Sequence, residues 1–81
     1  MLTVELATQI NKEIARGIEK WGPTDIHPTI LLNAATEELG EVAHAINHDE
    51  GQEAIQQEIC ETIGILVRLH EMVGKYSEGG G

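Results

Sequence analysis

The sequence predicts an all-α protein with three main helices in a single domain, and three observations support this fold class. Apolar residues recur at three- and four-residue steps in three segments, which is the period of an amphipathic helix. We find no segment with the apolar/polar alternation of a strand. Short runs that contain glycine or proline separate the three segments. With 81 residues, the chain is expected to form one domain over about residues 1–76.

The first helix is predicted from about Thr3 to Lys20. Thr3 is a suitable N-cap, because its side-chain oxygen can accept a hydrogen bond from a free backbone N–H of the first turn. The Gly22-Pro23 pair is expected to end the helix after Trp21. Apolar residues occupy four-residue steps through this segment: Leu6, Ile10, Ile14 and Ile18.

The second helix is predicted from about Pro28 to His48, since proline suits a first helical turn, where no N–H is needed. The third is predicted from about Gln52 to Val73, with Gly74 as the residue that ends it. The glycine-rich tail, residues 77–81, is expected to be flexible. We expect the second and third helices to pack as an antiparallel pair.

Composition indicates a thin core. The chain has no Phe, one Trp and one Tyr, so the core must come from Ile, Leu, Val and Ala. A domain of this size buries only about 60–65% of the surface of its unfolded chain. Oligomerisation is a common remedy, and we expect a homodimer or a homotetramer that completes helical bundles.

The net charge of −9, from 14 acidic and 5 basic residues, argues against non-specific binding of nucleic acid, which needs a basic surface. It also argues against anionic membranes. No apolar run approaches the roughly 20 residues of a membrane span, and we see no signal peptide. A single cysteine cannot form an intrachain disulfide, so we expect a cytoplasmic protein.

Two glutamates lie where apolar side chains are expected. At about 100° per residue, Glu38 falls inside the apolar arc of the second helix and Glu58 inside that of the third. Each is followed three residues later by a glutamate at the edge of the arc, Glu41 and Glu61. If the two helices pack through these arcs, four carboxylates converge on one small volume.

Four converging carboxylates repel one another, and a lone buried carboxylate costs several kcal/mol. A hard divalent cation relieves both problems, and Mg²⁺ is typically held by one or two carboxylates together with substrate phosphates and water. The pattern therefore favours a metal site, which would also neutralise a polyphosphate that a protein of this charge otherwise repels. The simpler interpretation is that these glutamates sit at an interface or extend to solvent.

At these residues the sequence resembles the MazG-like all-α nucleoside triphosphate pyrophosphohydrolases. Glu37-Glu38-Leu39-Gly40-Glu41 is similar to the first acidic motif of the family, and Glu58-Ile59-Cys60-Glu61 to the second, Glu-x-x-Asp. Glu61 stands where the family normally has aspartate. Upstream, Lys20-Trp21-Gly22 and His27-Pro28 look like the loop before the first metal-binding helix. The resemblance covers roughly residues 14–70.

The resemblance implies hydrolysis of a nucleoside triphosphate to the monophosphate and pyrophosphate, with Mg²⁺, or Mn²⁺ as the alternative, as cofactor. It assigns metal binding to Glu38, Glu41, Glu58 and Glu61. Glu38 or Glu41 is the candidate to accept a proton from the attacking water. Glu37 points to a different side of the helix, so we expect it to hold a water or to contact a ligand residue.

Substrate contacts are expected from the first helix. Lys12, Arg16 and Lys20 form a stripe at four-residue steps, and Arg16 and Lys20 are the candidates to meet the triphosphate. A solvated basic face explains Lys12 and Arg16 equally well. Trp21 is a candidate to stack on the base, although it suits a core anchor too. Since larger members of the family continue further, part of the nucleotide pocket is expected to be missing or to be supplied by a neighbouring subunit.

Two other functions are compatible with the pattern. Glu41 and His44 form the Glu-x-x-His pair of di-iron helical bundles, but this assignment explains Glu38, Glu58 and Glu61 only in part. A non-enzymatic acidic interaction module would use inward glutamates to set its pairing specificity. Cys60 lies away from the carboxylates on the third helix and is interpreted as an interface or surface residue.

Overall fold

The computed structural model describes residues 1–22 and 27–80, apart from the side chains of Trp21 and of residues 76–80. Three α-helices and no strand occur in this described part of the chain: α1 (Val4–Trp21), α2 (Pro28–Asn47) and α3 (Gln52–Gly80). The predicted all-α fold with three helices is confirmed. Pro23 lies outside the described residues.

Helix α1 begins and ends as the sequence predicts. The Thr3 hydroxyl accepts a hydrogen bond from the Leu6 N–H at 3.1 Å. At the other end, Gly22 has a φ of +91°, which glycine adopts without the steric cost that a side chain imposes. The Gly22 N–H donates to the Ile18 carbonyl at 2.7 Å. Both helix ends therefore find partners for backbone groups that the helix leaves free.

Helix α2 also begins at the predicted proline, and its N-cap is a residue that the sequence did not suggest. The Nδ1 atom of His27 accepts a hydrogen bond from the Thr29 N–H at 3.1 Å. The helix ends one residue before the predicted end, and the chain turns through Asp49 and Gly51, both at positive φ. The short connection makes α2 and α3 antiparallel neighbours.

Helix α3 is longer than predicted. It continues through Gly74 to Gly80, so the prediction that Gly74 ends it is wrong. A glycine ends a helix when it adopts positive φ, and Gly74 is not among the residues that do; within a helix it costs only about 1 kcal/mol. The flexibility expected of residues 77–81 stays a prediction.

Helix α3 is the centre of the protomer, and α1 and α2 each pack on it. Its 29 residues extend about 43 Å at 1.5 Å per residue, which accounts for the longest dimension of 45 Å. Among the described residues few apolar side chains are buried, as the composition indicates. They are Ile10, Leu31, Ala35, Ala45 and Cys60.

A close approach of α1 to α3 depends on Gly64. A Cβ atom at this position would lie 3.3 Å from the Glu13 Cβ and 3.5 Å from the Ile14 backbone nitrogen. The missing side chain lets the two helices meet at this point, and Glu13 becomes buried as a result, with 8% of its surface exposed. None of the described helices is long and apolar enough to cross a membrane.

Candidate metal centre

Three of the four glutamates singled out in the sequence meet between α2 and α3. Glu38, Glu58 and Glu61 each contribute one carboxylate oxygen to a group in which all the oxygens lie within 4.8 Å of one another. Glu58 and Glu61 are neighbours on α3 because residues three apart share a helix face. Glu38 reaches them across the antiparallel contact with α2. The positions of these three residues on their helical wheels therefore correctly indicated that their carboxylates lie close together.

The cluster is electrostatically strained in the absence of a cation. Burial, followed by the hydrogen bonds and charges of Glu61 and Glu58, raises the pKa of Glu38 to about 8. Burial likewise raises the pKa of Glu58, and the nearby charges of Glu61 and Glu41 add to the rise. At neutral pH the isolated protein therefore retains a proton among these carboxyl groups, because like charges at this distance cannot all ionise.

Glu61 behaves differently from its two neighbours. Burial pushes its pKa upward, but hydrogen bonds from Gln57, Glu38 and Glu58 and the charge of Arg16 outweigh burial and hold the pKa below its ordinary value. The pKa shifts thus favour the charged form of Glu61 and the protonated form of Glu38. A negative charge within the cluster attracts a cation.

Two oxygen atoms of the cluster have no partner. Oε2 of Glu38 and Oε2 of Glu58 are buried and accept no hydrogen bond in the described part of the protein. A buried acceptor without a partner costs about 1–3 kcal/mol, and more when it is charged. Hard divalent cations are bound by such oxygens, so these residues fit the Mg²⁺ ion that the sequence analysis suggests.

The fourth predicted ligand lies outside this group. Glu41 is exposed on α2, and it affects the cluster through its charge, which contributes to the raised pKa of Glu58. Glu37 is exposed as well. The structure therefore brings together three of the four expected ligands, and the roles expected of Glu41 and Glu37 stay predictions.

A buried glutamate on α1 was missed by the sequence analysis. Glu13 accepts a hydrogen bond from Gln57 Nε2 at 2.8 Å, and the same nitrogen donates to Glu61 at 3.1 Å. The other Glu13 oxygen lies 3.4 Å from Arg16 Nη1. The signal was present, since Glu13 follows Leu6 by seven residues and so lies on the apolar face of α1. Gln57 thus links α1 to the carboxylate cluster.

A cavity of about 130 Å³ opens between the three helices above this cluster. Glu38 and Glu61 contribute to its wall, and three basic residues, Arg16, Lys20 and Arg68, line it as well. The chain has only five lysines and arginines in total. A protein with a net charge of −9 thus gathers most of its cationic side chains beside its most acidic group of carboxylates.

These basic residues are positioned in different ways. Arg68 donates a hydrogen bond from Nη2 to the Gly22 carbonyl at 3.0 Å, and its side chain lies against Gly17. Arg16 and Lys20 are exposed on α1, as a role in meeting a solvent-borne ligand requires. The side chain of Trp21 lies outside the described residues, so its expected contact with a base stays a prediction.

Two further sequence interpretations concern His44 and Cys60. His44 Nε2 lies 3.4 Å from a Glu50 oxygen, and its ring packs 4.1 Å from that of His48, so it does not join the three clustered carboxylates within this protomer. Cys60 is buried, with 2% exposed. Burial and then the charge of Glu13 raise the pKa of its thiol. The surface assignment for Cys60 is wrong because α1 covers that side of α3.

Comparison with known proteins gives no match, whether to a family model, to a curated protein or to a solved structure.

Proposed function

We propose that this protein is a Mg²⁺-dependent nucleoside triphosphate pyrophosphohydrolase. It hydrolyses a ribo- or deoxyribonucleoside triphosphate to the monophosphate and pyrophosphate. The proposed role is to remove unwanted nucleotides from the nucleotide pool. One observation carries the proposal. Two of the three clustered carboxylates, Glu38 and Glu61, and three basic side chains line a single cavity. A complex of a divalent cation with a polyphosphate complements both halves of such a site, because the cation meets the carboxylates and the phosphates meet the basic residues.

In this proposal Glu38, Glu58 and Glu61 hold the metal, through oxygens that include the two without partners. The bound metal stabilises charge on phosphoryl oxygens and lowers the pKa of water. Arg16, Lys20 and Arg68 orient the phosphate chain and neutralise its charge. Glu38 or Glu41 is the candidate to accept the proton from the attacking water, and Glu41, which lies outside the group of three, would be free of the metal to do so.

The cavity volume suits part of the substrate. Pockets that enclose a whole small-molecule ligand are usually about 300–1,000 Å³, and this one is about 130 Å³. That space accommodates a hydrated cation and phosphate groups, and the nucleoside then extends toward solvent or a neighbouring subunit. A homodimer or homotetramer and a cytoplasmic setting, both predicted from the sequence, complete the proposal.

The experiment that tests this function is a screen of ribo- and deoxyribonucleoside triphosphates with Mg²⁺, in which monophosphate and pyrophosphate are measured together. We expect equal release of the two products for at least one substrate. Glu58→Gln should reduce the rate by at least about 100-fold, since it removes a charged ligand while keeping side-chain size. Glu53→Gln is the matched control, an exposed glutamate five residues earlier on α3, and should retain the parent rate.

Two results would count against the proposal. Release of inorganic phosphate with a nucleoside diphosphate would indicate a different cleavage. Equal activity of Glu58→Gln and Glu53→Gln would show that the carboxylate cluster does not support the reaction. The di-iron alternative is separated by His44→Ala, which should keep the Mg²⁺-dependent rate if the proposal is correct.

A further inference from the structure

The buried carboxylate of Glu13 has no part in the proposed reaction, and its contacts lead to the carboxylate cluster. Only 4% of its side chain is exposed, and a buried carboxylate is costly unless it is paired and hydrogen-bonded. One oxygen lies 3.4 Å from Nη1 of Arg16. The other accepts a hydrogen bond from Nε2 of Gln57 at 2.8 Å. Glu13 is therefore held at both oxygens, at the point where Gly64 lets α1 approach α3.

The amide of Gln57 lies between two carboxylates. Its Nε2 atom donates to Glu13 and also to Oε1 of Glu61, at 3.1 Å. An amide nitrogen has two hydrogens, whereas an ionised carboxylate only accepts, so both bonds are satisfied at the nitrogen end of the amide. If the amide were reversed, its oxygen would face two further acceptors. Glu13 thus determines which end of Gln57 is presented to Glu61.

This contact restricts the orientation of Glu61. The last torsion of a glutamate side chain has a broad energy minimum, so a carboxylate without partners samples many orientations. A hydrogen bond to one of its oxygens limits that rotation. Burial raises the pKa of Glu61, and the Gln57 hydrogen bond is the largest of the contributions that lower it. The bond therefore favours the ionised form, which is the form that binds a metal ion.

The other two carboxylates of the cluster are held differently. Oε2 of Glu38 and Oε2 of Glu58 are buried and have no partner within the described residues. In protein metal sites, residues that do not touch the metal commonly orient its ligands through hydrogen bonds, and replacing such a residue typically weakens metal binding about 10- to 100-fold. Gln57 has this relation to Glu61, and Glu13 has it to Gln57.

We propose that Gln57 is a positioning residue for the metal site and that Glu13 orients Gln57, so that a divalent cation is bound tightly only when α1 is packed on α3. Neither residue is proposed as a ligand, and the acidic motifs of the sequence include neither of them. The proposal rests on the metal site of the proposed function. It adds that the first helix controls the metal affinity of a cluster formed by the other two.

The test is the dissociation constant of Mn²⁺, which is bound by the same kinds of oxygen ligand as Mg²⁺ and whose free ion is counted by paramagnetic resonance. The full chain is titrated, without substrate. Gln57→Met keeps the volume and removes both hydrogen bonds, so it should raise the constant about 10- to 100-fold. Gln56→Met is the matched control, the same replacement at an exposed neighbour on α3. It should change the constant by less than about threefold.

A second control separates positioning from stability. Ile10 is buried on α1, and Ile10→Val should lower the free energy of unfolding, because a buried methyl group is deleted. It should leave the Mn²⁺ constant within about threefold of the parent value, because the Gln57 bonds remain. Glu13→Gln keeps an oxygen that accepts from Gln57, so it should weaken Mn²⁺ binding less than Gln57→Met does. Circular dichroism at the temperature of the titration checks that each variant is folded.

A measurement on the parent makes the test independent of whether a variant folds. The Nε2 hydrogens of Gln57 should exchange with solvent at least about tenfold more slowly than those of Gln56, because both are hydrogen-bonded. Equal exchange, or equal Mn²⁺ constants for Gln57→Met and Gln56→Met, would overturn the positioning role and leave the metal site unaffected. A parent that binds no Mn²⁺ would overturn the metal site and this proposal together.

Discussion

The two sides of the α2–α3 hairpin are built from the same two helices but differ in charge and in covering. One side is covered by α1 and carries Glu13, Arg16 and Arg68 together with the carboxylate cluster. The other carries exposed apolar side chains of both helices, among them Leu39 at 61% and Leu66 at 47%. The two kinds of side chain that destabilise a small protein are therefore on different sides of the hairpin. The clustered like charges lie on the side next to α1, and exposed apolar side chains lie on the other.

Substitution at Gly64 is expected to give the largest loss of unfolding free energy, because this residue lies on the side of the hairpin that α1 covers. Gly64→Val should destabilise the protomer by about 2–3 kcal/mol, because the added side chain meets the α1 backbone and has no room to adjust. Gly40→Val is the control, since a Cβ atom there has nothing within 4 Å. Chemical denaturation of both variants checks this, and equal losses would contradict the role given to Gly64.

The next largest loss of stability is expected when Gln57, which bonds both Glu13 on α1 and Glu61 in the carboxylate cluster, is replaced. Gln57→Met should cost about 1–2 kcal/mol, because it keeps the volume but leaves the buried Glu13 without its hydrogen bond. A double-mutant cycle with Glu13→Gln should show coupling between the two positions, as expected for residues in one network. Additive losses in denaturation experiments would show that the Gln57 bridge does not contribute.

The sequence predicted the helices well and their mutual packing only in part. Helix ends at Thr3, Gly22 and Pro28 depend on local chemistry that a few residues contain. The position of α1 depends on Gly64, whose partner is about 50 residues away in the chain. A helical wheel identifies apolar arcs but does not say which helix covers them. For this reason Glu13 was missed, and a surface position was left open for Cys60, which is buried.

The pH dependence of stability without metal is expected to reflect the carboxylate cluster, through Glu38. The pKa of Glu38 is raised to about 8 in the folded protein from 4.5, so the folded state binds more protons than the unfolded state between these values. The contribution of this group is present below about pH 4.5 and is lost as the pH rises toward 8.

We therefore expect the stability of the metal-free protein to fall by about 1 kcal/mol or more between pH 5 and 8, since solvent screens part of the interaction. Glu38→Gln should flatten this slope, whereas Glu53→Gln should leave it unchanged. Urea titrations at several pH values measure it. An unchanged slope in Glu38→Gln would place the titrating group elsewhere.

The smallest expected effect is a gain in stability. Gly40→Ala should stabilise the protein by about 0.5–1 kcal/mol, because alanine has the higher helix propensity and a Cβ at this position meets nothing within 4 Å. Gly64→Ala is the counterpart on the covered side, where the same gain is offset by the 3.3 Å approach to Glu13. Thermal melts of the pair compare an open and a crowded glycine directly.

The central claim is that Glu38, Glu58 and Glu61 form a metal site, and the most direct measurement is the thermal stability of the parent and of Glu38→Gln with and without Mg²⁺. Without metal, Glu38→Gln should be at least as stable as the parent, because it removes repulsion and keeps the side-chain shape. Mg²⁺ at ten times its dissociation constant should stabilise the parent by about 1.4 kcal/mol and the variant much less. A parent that gains nothing across millimolar Mg²⁺, with or without a non-hydrolysable triphosphate, would contradict the claim.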